Sequence, residues 1–161
     1  MPTLQTAPRR PRDAIALLRS DHKAVSELFD EFEHTHSAAK KKAIVANICH
    51  DLEVHTRLEE EIFYPAVQAA LKDHELVPEA TVEHASVKDL IAQVRDAEPD
   101  GDMFDARVKV MGEFVKHHVK EEHTAMFPKA RKANIDLVEL RDRMLARKEA
   151  IELEHASEGR P

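Results

Sequence analysis

At 161 residues and 18.3 kDa the chain has the length of one domain and is long enough to bury a core of its own. Its 24 basic and 31 acidic residues leave a net charge of -7, against a nucleic-acid surface; three glycines and 4% aromatics argue against a β-sandwich or a glycine-loop nucleotide enzyme. No apolar run approaches the roughly 20 residues of a membrane span, the start MPTLQTAPRRPRD has no apolar segment of a secretory signal, and the single Cys49 excludes an internal disulfide and fits a reducing cytoplasm.

From Asp13 onward, apolar residues recur every three or four positions, the spacing of a helix stripe. Residues 1–12 are expected to be flexible. Asp13 is placed to cap a first helix reaching about His34. A second runs from about Ala38 to Leu71, and Pro78 sits where a first-turn proline opens a third, ending near Glu98. Pro99-Asp100-Gly101-Asp102 is a turn, and a fourth helix follows to about Lys132. Pro65 and Pro128 fall inside the second and fourth helical patterns, where a missing donor and a displaced carbonyl predict a kink or an early end. A fifth helix is expected over 133–155, with Ile135, Val138, Leu145 and Ile151 among many charges, then a disordered tail over 156–161.

The first two helices repeat in the next two. Asp21-His22 through Val25 and Leu28 matches Glu83-His84 through Val87 and Leu90 at an offset of 62. His55, Glu59 and Pro65 match His118, Glu122 and Pro128 at an offset of 63. The fold class that follows is all-α: an up-down four-helix bundle over 13–132, built from pseudo-symmetric helix pairs, with an additional C-terminal helix that covers the bundle or makes a dimer contact.

Written as seams, the helices place Ile15, Leu18, His22, Val25, Phe29 and Phe32 on one inner face and Val45, Ile48, Leu52, His55, Glu59, Ile62 and Ala66 on the next. The third seam is Val77, Ala80, His84, Val87, Ile91 and Val94, and the fourth is Phe104, Val108, Met111, Val115, His118, Glu122 and Ala125. Four histidines and two glutamates thus stand where the pattern demands hydrophobes. A lone histidine on an apolar face is ordinarily a core residue with a satisfied ring. Four of them in duplicated register with two carboxylates need mutual compensation, because burying an unpaired ion costs several kcal/mol. A bound cation supplies it.

With no thiolate on the seam, a cysteine-type structural zinc is excluded. The six groups suit two ions, His22 with His55 on one and His84 with His118 on the other, with Glu59 and Glu122 spanning both and room left for a solvent bridge and a small molecule. Nitrogen and oxygen donors of this kind favour iron, with manganese or zinc as alternatives. The other histidines, His34, His36, His50, His74, His123 and His155, are expected at helix ends or in solvent, and His117 points about 100° away from His118. Cys49 is off the seam and reads as a packing residue. Tyr64 and Glu60 are near the site in sequence, but regular helical directions turn both away from it.

The segments HTRLEEEIFYP and HVKEEHTAMFP, with DHK and EHA upstream, resemble the repeated signature of the hemerythrin-like proteins, also called the HHE cation-binding domain family, over about residues 13–132. That resemblance implies a non-heme di-iron centre, oxo- or hydroxo-bridged, with small oxidants as reactants, and carries the family's ligands onto His22, His55, Glu59, His84, His118 and Glu122. The oxygen-carrying hemerythrins have a second histidine one turn after the third-helix ligand, where this chain has Lys88, and a fourth-helix aspartate where it has His123. The more symmetric donor set left here favours chemistry on hydrogen peroxide, of a catalase-like kind, over reversible oxygen carriage. The competing class is non-catalytic: binding or sensing of dioxygen or nitric oxide, or iron handling.

Overall fold

The computed structural model describes residues 10–99 and 101–158, and every regular element among them is a helix. Helix α1 spans Ala14–Glu33 and begins where Asp13 accepts the Ala16 N–H at 2.9 Å, so the capping aspartate acts as its position predicts. Helix α2 starts after Ser37, covers Ala38–Leu58, and continues through a π-helical turn, Glu59–Phe63, into Tyr64–Leu71. Lys72, in the left-handed conformation, ends it.

Helix α3 spans Leu76–Val94, opening two residues ahead of Pro78 because the Asp73 carboxylate takes the N–H groups of Leu76 and Val77 at 3.0 and 2.8 Å. It stops short of the expected Glu98. Helix α4 begins after Gly101, whose φ of +83° only glycine adopts at low cost, and runs through Asp102–Glu121, a second π-helical turn Glu122–Met126, and Phe127–Lys132. Helix α5 covers Leu137–Ser157 behind an Asp136 cap. It therefore takes in Ala156 and Ser157, which the sequence assigns to the tail; residues 159–161 lie outside the described residues, as do 1–9 of the N-terminal segment. Arg10 of that segment pairs with Asp142 of α5 at 2.8 Å, and Arg141 donates to the carbonyls of Pro11 and Arg12.

The prolines end neither α2 nor α4. Pro65 and Pro128 lack the donor of a regular turn, and the backbone absorbs the defect just ahead of each: the Tyr64 N–H reaches back five residues to the Glu59 carbonyl, and Phe127 does the same to Glu122. The wider turn rotates all that follows. Ala66 and Ala125, expected on the seam, are only half-buried, and Phe63, Tyr64, Val67, Met126, Phe127 and Ala130 face inward instead.

The four long helices neighbour one another in the ring α1–α2–α3–α4, with α5 laid over α1 and α2. Two apolar clusters fill the bundle. One gathers Leu18, Leu58, Phe63 and Phe127 with Met144 and Ile151 of α5; the other gathers Phe32, Ile48, Leu52, Ile91, Phe104 and Met111. Of the residues expected to form the α5 stripe, Ile151 is buried but Val138 is 48% exposed; the buried face is Leu140, Met144 and Ile151. Covering the bundle accounts for that face.

Candidate metal centre

Between the two apolar clusters lies a layer of buried polar side chains. The six residues singled out by the seams converge there: Glu59 is 0% exposed, Glu122 1%, and all four histidines are buried. The Nε2 atoms of His22 and His55 stand 3.1 Å apart, and those of His84 and His118 also 3.1 Å. Glu59 connects the pairs, its Oε1 at 2.9 Å from His55 Nε2 and 3.2 Å from His84 Nε2. Glu122 does so from the other side, Oε1 at 2.8 Å from His118 Nε2 and 3.5 Å from His22 Nε2. The donor atoms form two candidate metal-holding groups, His22, His55, Glu59 and Glu122, and Glu59, His84 and His118.

Three of the four imidazoles are hydrogen-bonded on the outer nitrogen, and that of His118 is buried without such a partner. His55 Nδ1 meets Asp21 at 3.0 Å, His22 Nδ1 meets His123 Nε2 at 2.8 Å, and His84 Nδ1 meets Glu60 at 3.4 Å. His118 Nδ1 faces Glu83 at 3.6 Å. Lys88 holds Glu60 in place at 2.7 and 2.8 Å. Burial, with His22 and Arg19 nearby, depresses His123 to about 4, so its ring is a neutral acceptor for His22. The Nε2 atoms of each histidine pair face one another across 3.1 Å. Only a proton or a cation stabilises that arrangement.

The carboxylates make the same demand. Both oxygens of Glu59 and Oε1 of Glu122 are buried without a hydrogen-bond partner. Burial raises Glu59 on its own, but the His55 ring beside it outweighs this and holds the carboxyl well below the usual range. Burial also disfavours charge on His55 and His118. The adjacent carboxylates reverse this, raising His55 well above its ordinary value and His118 to about 9. A metal ion takes the place of such shared protons, and donors about 2.0–2.2 Å from one ion lie about 3 Å from each other, the separation seen here. The residues fit the group.

Two residues that regular helical directions turn away are drawn in. The Tyr64 hydroxyl lies 3.1 Å from Nε2 of both His84 and His118 and 3.4 Å from Glu122 Oε2; Glu60 backs His84. The π-helical turn rotates both positions, and its signal was present in Pro65, five residues after Glu60 and six after Glu59. Burial first, then Glu59 and Glu122, push the Tyr64 phenol far up, so it keeps its proton in the metal-free site. Its repeat counterpart is Phe127, which stacks on His22 with planes 8° apart. At this position the two halves differ by one hydroxyl. His123, expected in solvent, is half-buried on His22. Asp21 and Glu83 were also missed, although each immediately precedes a seam histidine in both repeats. His50 and His155 are not isolated in solvent either; their Nδ1 atoms meet at 3.1 Å, beside Glu152. His117 points away, as expected.

A small cavity of about 20 Å³ adjoins the four imidazoles, walled by Val25, Leu52, Val87 and Val115. A cleft of about 890 Å³ between α1 and α4 reaches His22 past Phe29 and Val119. Gly112 lets the helices approach there, since a Cβ at that position would stand 3.1 Å from the Phe29 ring.

The bundle and its histidine–glutamate layer define a helical metal-binding domain, and residues 13–130 match the model of the hemerythrin HHE cation-binding domain. The chain belongs to that family. A solved hemerythrin HHE cation-binding domain-containing protein from Mycobacterium kansasii superposes with a TM-score of 0.74 at 24% identity, covering 86% of each chain, a likeness of fold. A protein described as a DNA nickase from Nostoc sp. (strain PCC 7120 / SAG 25.82 / UTEX 2576) is 29% identical over 111 residues, 69% of this chain but 31% of the Nostoc protein. The chain therefore spans about a third of that relative's length. No helix among the described residues is long and apolar enough to cross a membrane.

Proposed function

We propose that the chain holds two non-heme iron ions, His22 and His55 on one, His84 and His118 on the other, with Glu59 and Glu122 shared, and that it disproportionates hydrogen peroxide. The observation that carries this reading is the position of the two glutamates: each places an unsatisfied, buried oxygen between a histidine of one pair and a histidine of the other. When bound, two irons supply a two-electron reservoir, so that one peroxide gives up two electrons and two protons as dioxygen and a second takes them up to become two waters. Asp21, Glu60 and His123 orient the imidazoles from behind. Tyr64 holds a proton at its hydroxyl beside His84 and His118, within reach of Glu122. The small cavity walled by valines and a leucine has room for one small molecule beside the imidazoles.

Iron-loaded protein is expected to evolve dioxygen from peroxide, and Glu59→Ala or His118→Ala to abolish it. Peroxide left unconsumed by fully loaded wild type overturns the catalytic reading. The apolar walls of the cavity favour one second reading, reversible binding of dioxygen or nitric oxide; a stable, reversible spectrum without turnover would identify it. The matched part of the Nostoc protein leaves more than two thirds of that chain to carry the activity in its name, and no nicking activity is assigned to this one.

A further inference from the structure

The repeat creates two equivalent outer grooves, and α5 fills only one. On the α1–α2 side it covers Leu17, Val54 and Leu58 with Leu140, Met144 and Ile151, and brings Lys148 to 3.6 Å from Asp21, the carboxylate behind His55. The offsets of 62 and 63 carry Leu17, Asp21, Val54 and Leu58 onto Glu79, Glu83, His117 and Glu121 of α3 and α4. These four residues line an open groove of about 660 Å³ together with Pro78, Val82 and Phe114. Val82 is 69% and Phe114 45% exposed, two of the six large apolar side chains exposed among the described residues. Glu83, the counterpart of Asp21, stands behind His118, its Oε1 3.6 Å from that ring's Nδ1, with its Oε2 buried and without a hydrogen-bond partner; among the described residues no lysine or arginine pairs with it, as Lys148 does with Asp21.

We propose that the α3–α4 groove docks an amphipathic helix of a partner protein, with an apolar stripe on Val82 and Phe114 and flanking lysines or arginines on Glu79, Glu83 and Glu121. The pattern is the one α5 already uses on the equivalent face, made more basic because Leu17 and Leu58 are replaced by Glu79 and Glu121 while the acid of Asp21 is kept as Glu83. The same face of a second copy sets carboxylates against carboxylates, and the apolar stripe of α5 is already buried against α1 and α2. A bound helix places a cation on Glu83, so the groove and the metal centre share one side chain.

The probe is a fluorescent three-turn peptide of leucine and lysine at helical spacing, titrated against the full metal-loaded chain beside a leucine–glutamate peptide of the same pattern. The lysine peptide is expected to bind saturably, one per chain, at least about tenfold more tightly than the glutamate peptide. Val82→Ser with Phe114→Ser should weaken it by about tenfold or more, and Glu83→Gln severalfold, with helical circular dichroism unchanged. Binding that survives the double substitution is general attraction to an acidic chain and overturns the proposal. So does absence of binding, equal binding of the two peptides, or self-association of the wild type that the double substitution abolishes, which assigns the face to a second copy.

Discussion

Behind the inward-facing imidazoles stand groups that decide which ring nitrogen carries the proton. Asp21 does this for His55 and Glu60 for His84, while His123, kept neutral by burial, does it for His22. Asp21→Asn is expected to lower metal affinity by about 10–100-fold while leaving the fold intact, as read by competition with a chromophoric chelator. The six inward residues were legible in the sequence because each interrupts an apolar seam at its own helix's regular spacing, and the interruption repeats. Tyr64 and Glu60 were not legible in that way. Their direction depends on a five-residue backbone turn, and a periodicity of 3.6 residues assigns them the wrong face.

Among the elements, the two π-helical turns and α5 do most to shape the site. Each turn begins at one of the two buried glutamates, so the backbone irregularity and the polar layer coincide in both halves. The prolines marked the places, but a missing N–H is compatible with a kink, a stop or a widened turn, and only tertiary packing selects among them. Helix α5 was legible as a helix, though not in register: its charges leave several stripes open, and contact with α1 and α2 settles on Leu140, Met144 and Ile151. Met144 is fully buried in that contact, away from the metal donors. Met144→Ala should destabilise the protein by about 2–5 kcal/mol in a denaturant titration with metal content unchanged. Loss of less than about 1 kcal/mol would mean that α5 is not a packed part of the bundle.

For the molecule as a whole, stability has an acid limb that can be located. Burial raises the Asp13 carboxyl, but the Ala16 N–H and Arg131 outweigh it and hold it below its ordinary 3.8. A depressed carboxyl contributes stability that is present above 3.8 and lost as pH falls through the folded value. Asp13→Asn keeps a capping oxygen and removes that charge, so the wild-type advantage should shrink progressively below pH 3.8, measured by thermal unfolding across acidic buffers. The acidic layer of the bundle poses the larger question. Six donors are buried together, two of them carboxylates with oxygens that lack a hydrogen-bond partner, and on the proposed reading bound cations offset the cost of burying them. Metal content and melting temperature, determined on the same full-length samples before and after chelation, test this most directly. About two irons per chain are expected, with a marked fall in melting temperature when they are removed and neither effect retained in Glu59→Ala. A folded chain that takes up no metal from excess iron, and melts at the same temperature with and without chelator, would contradict it.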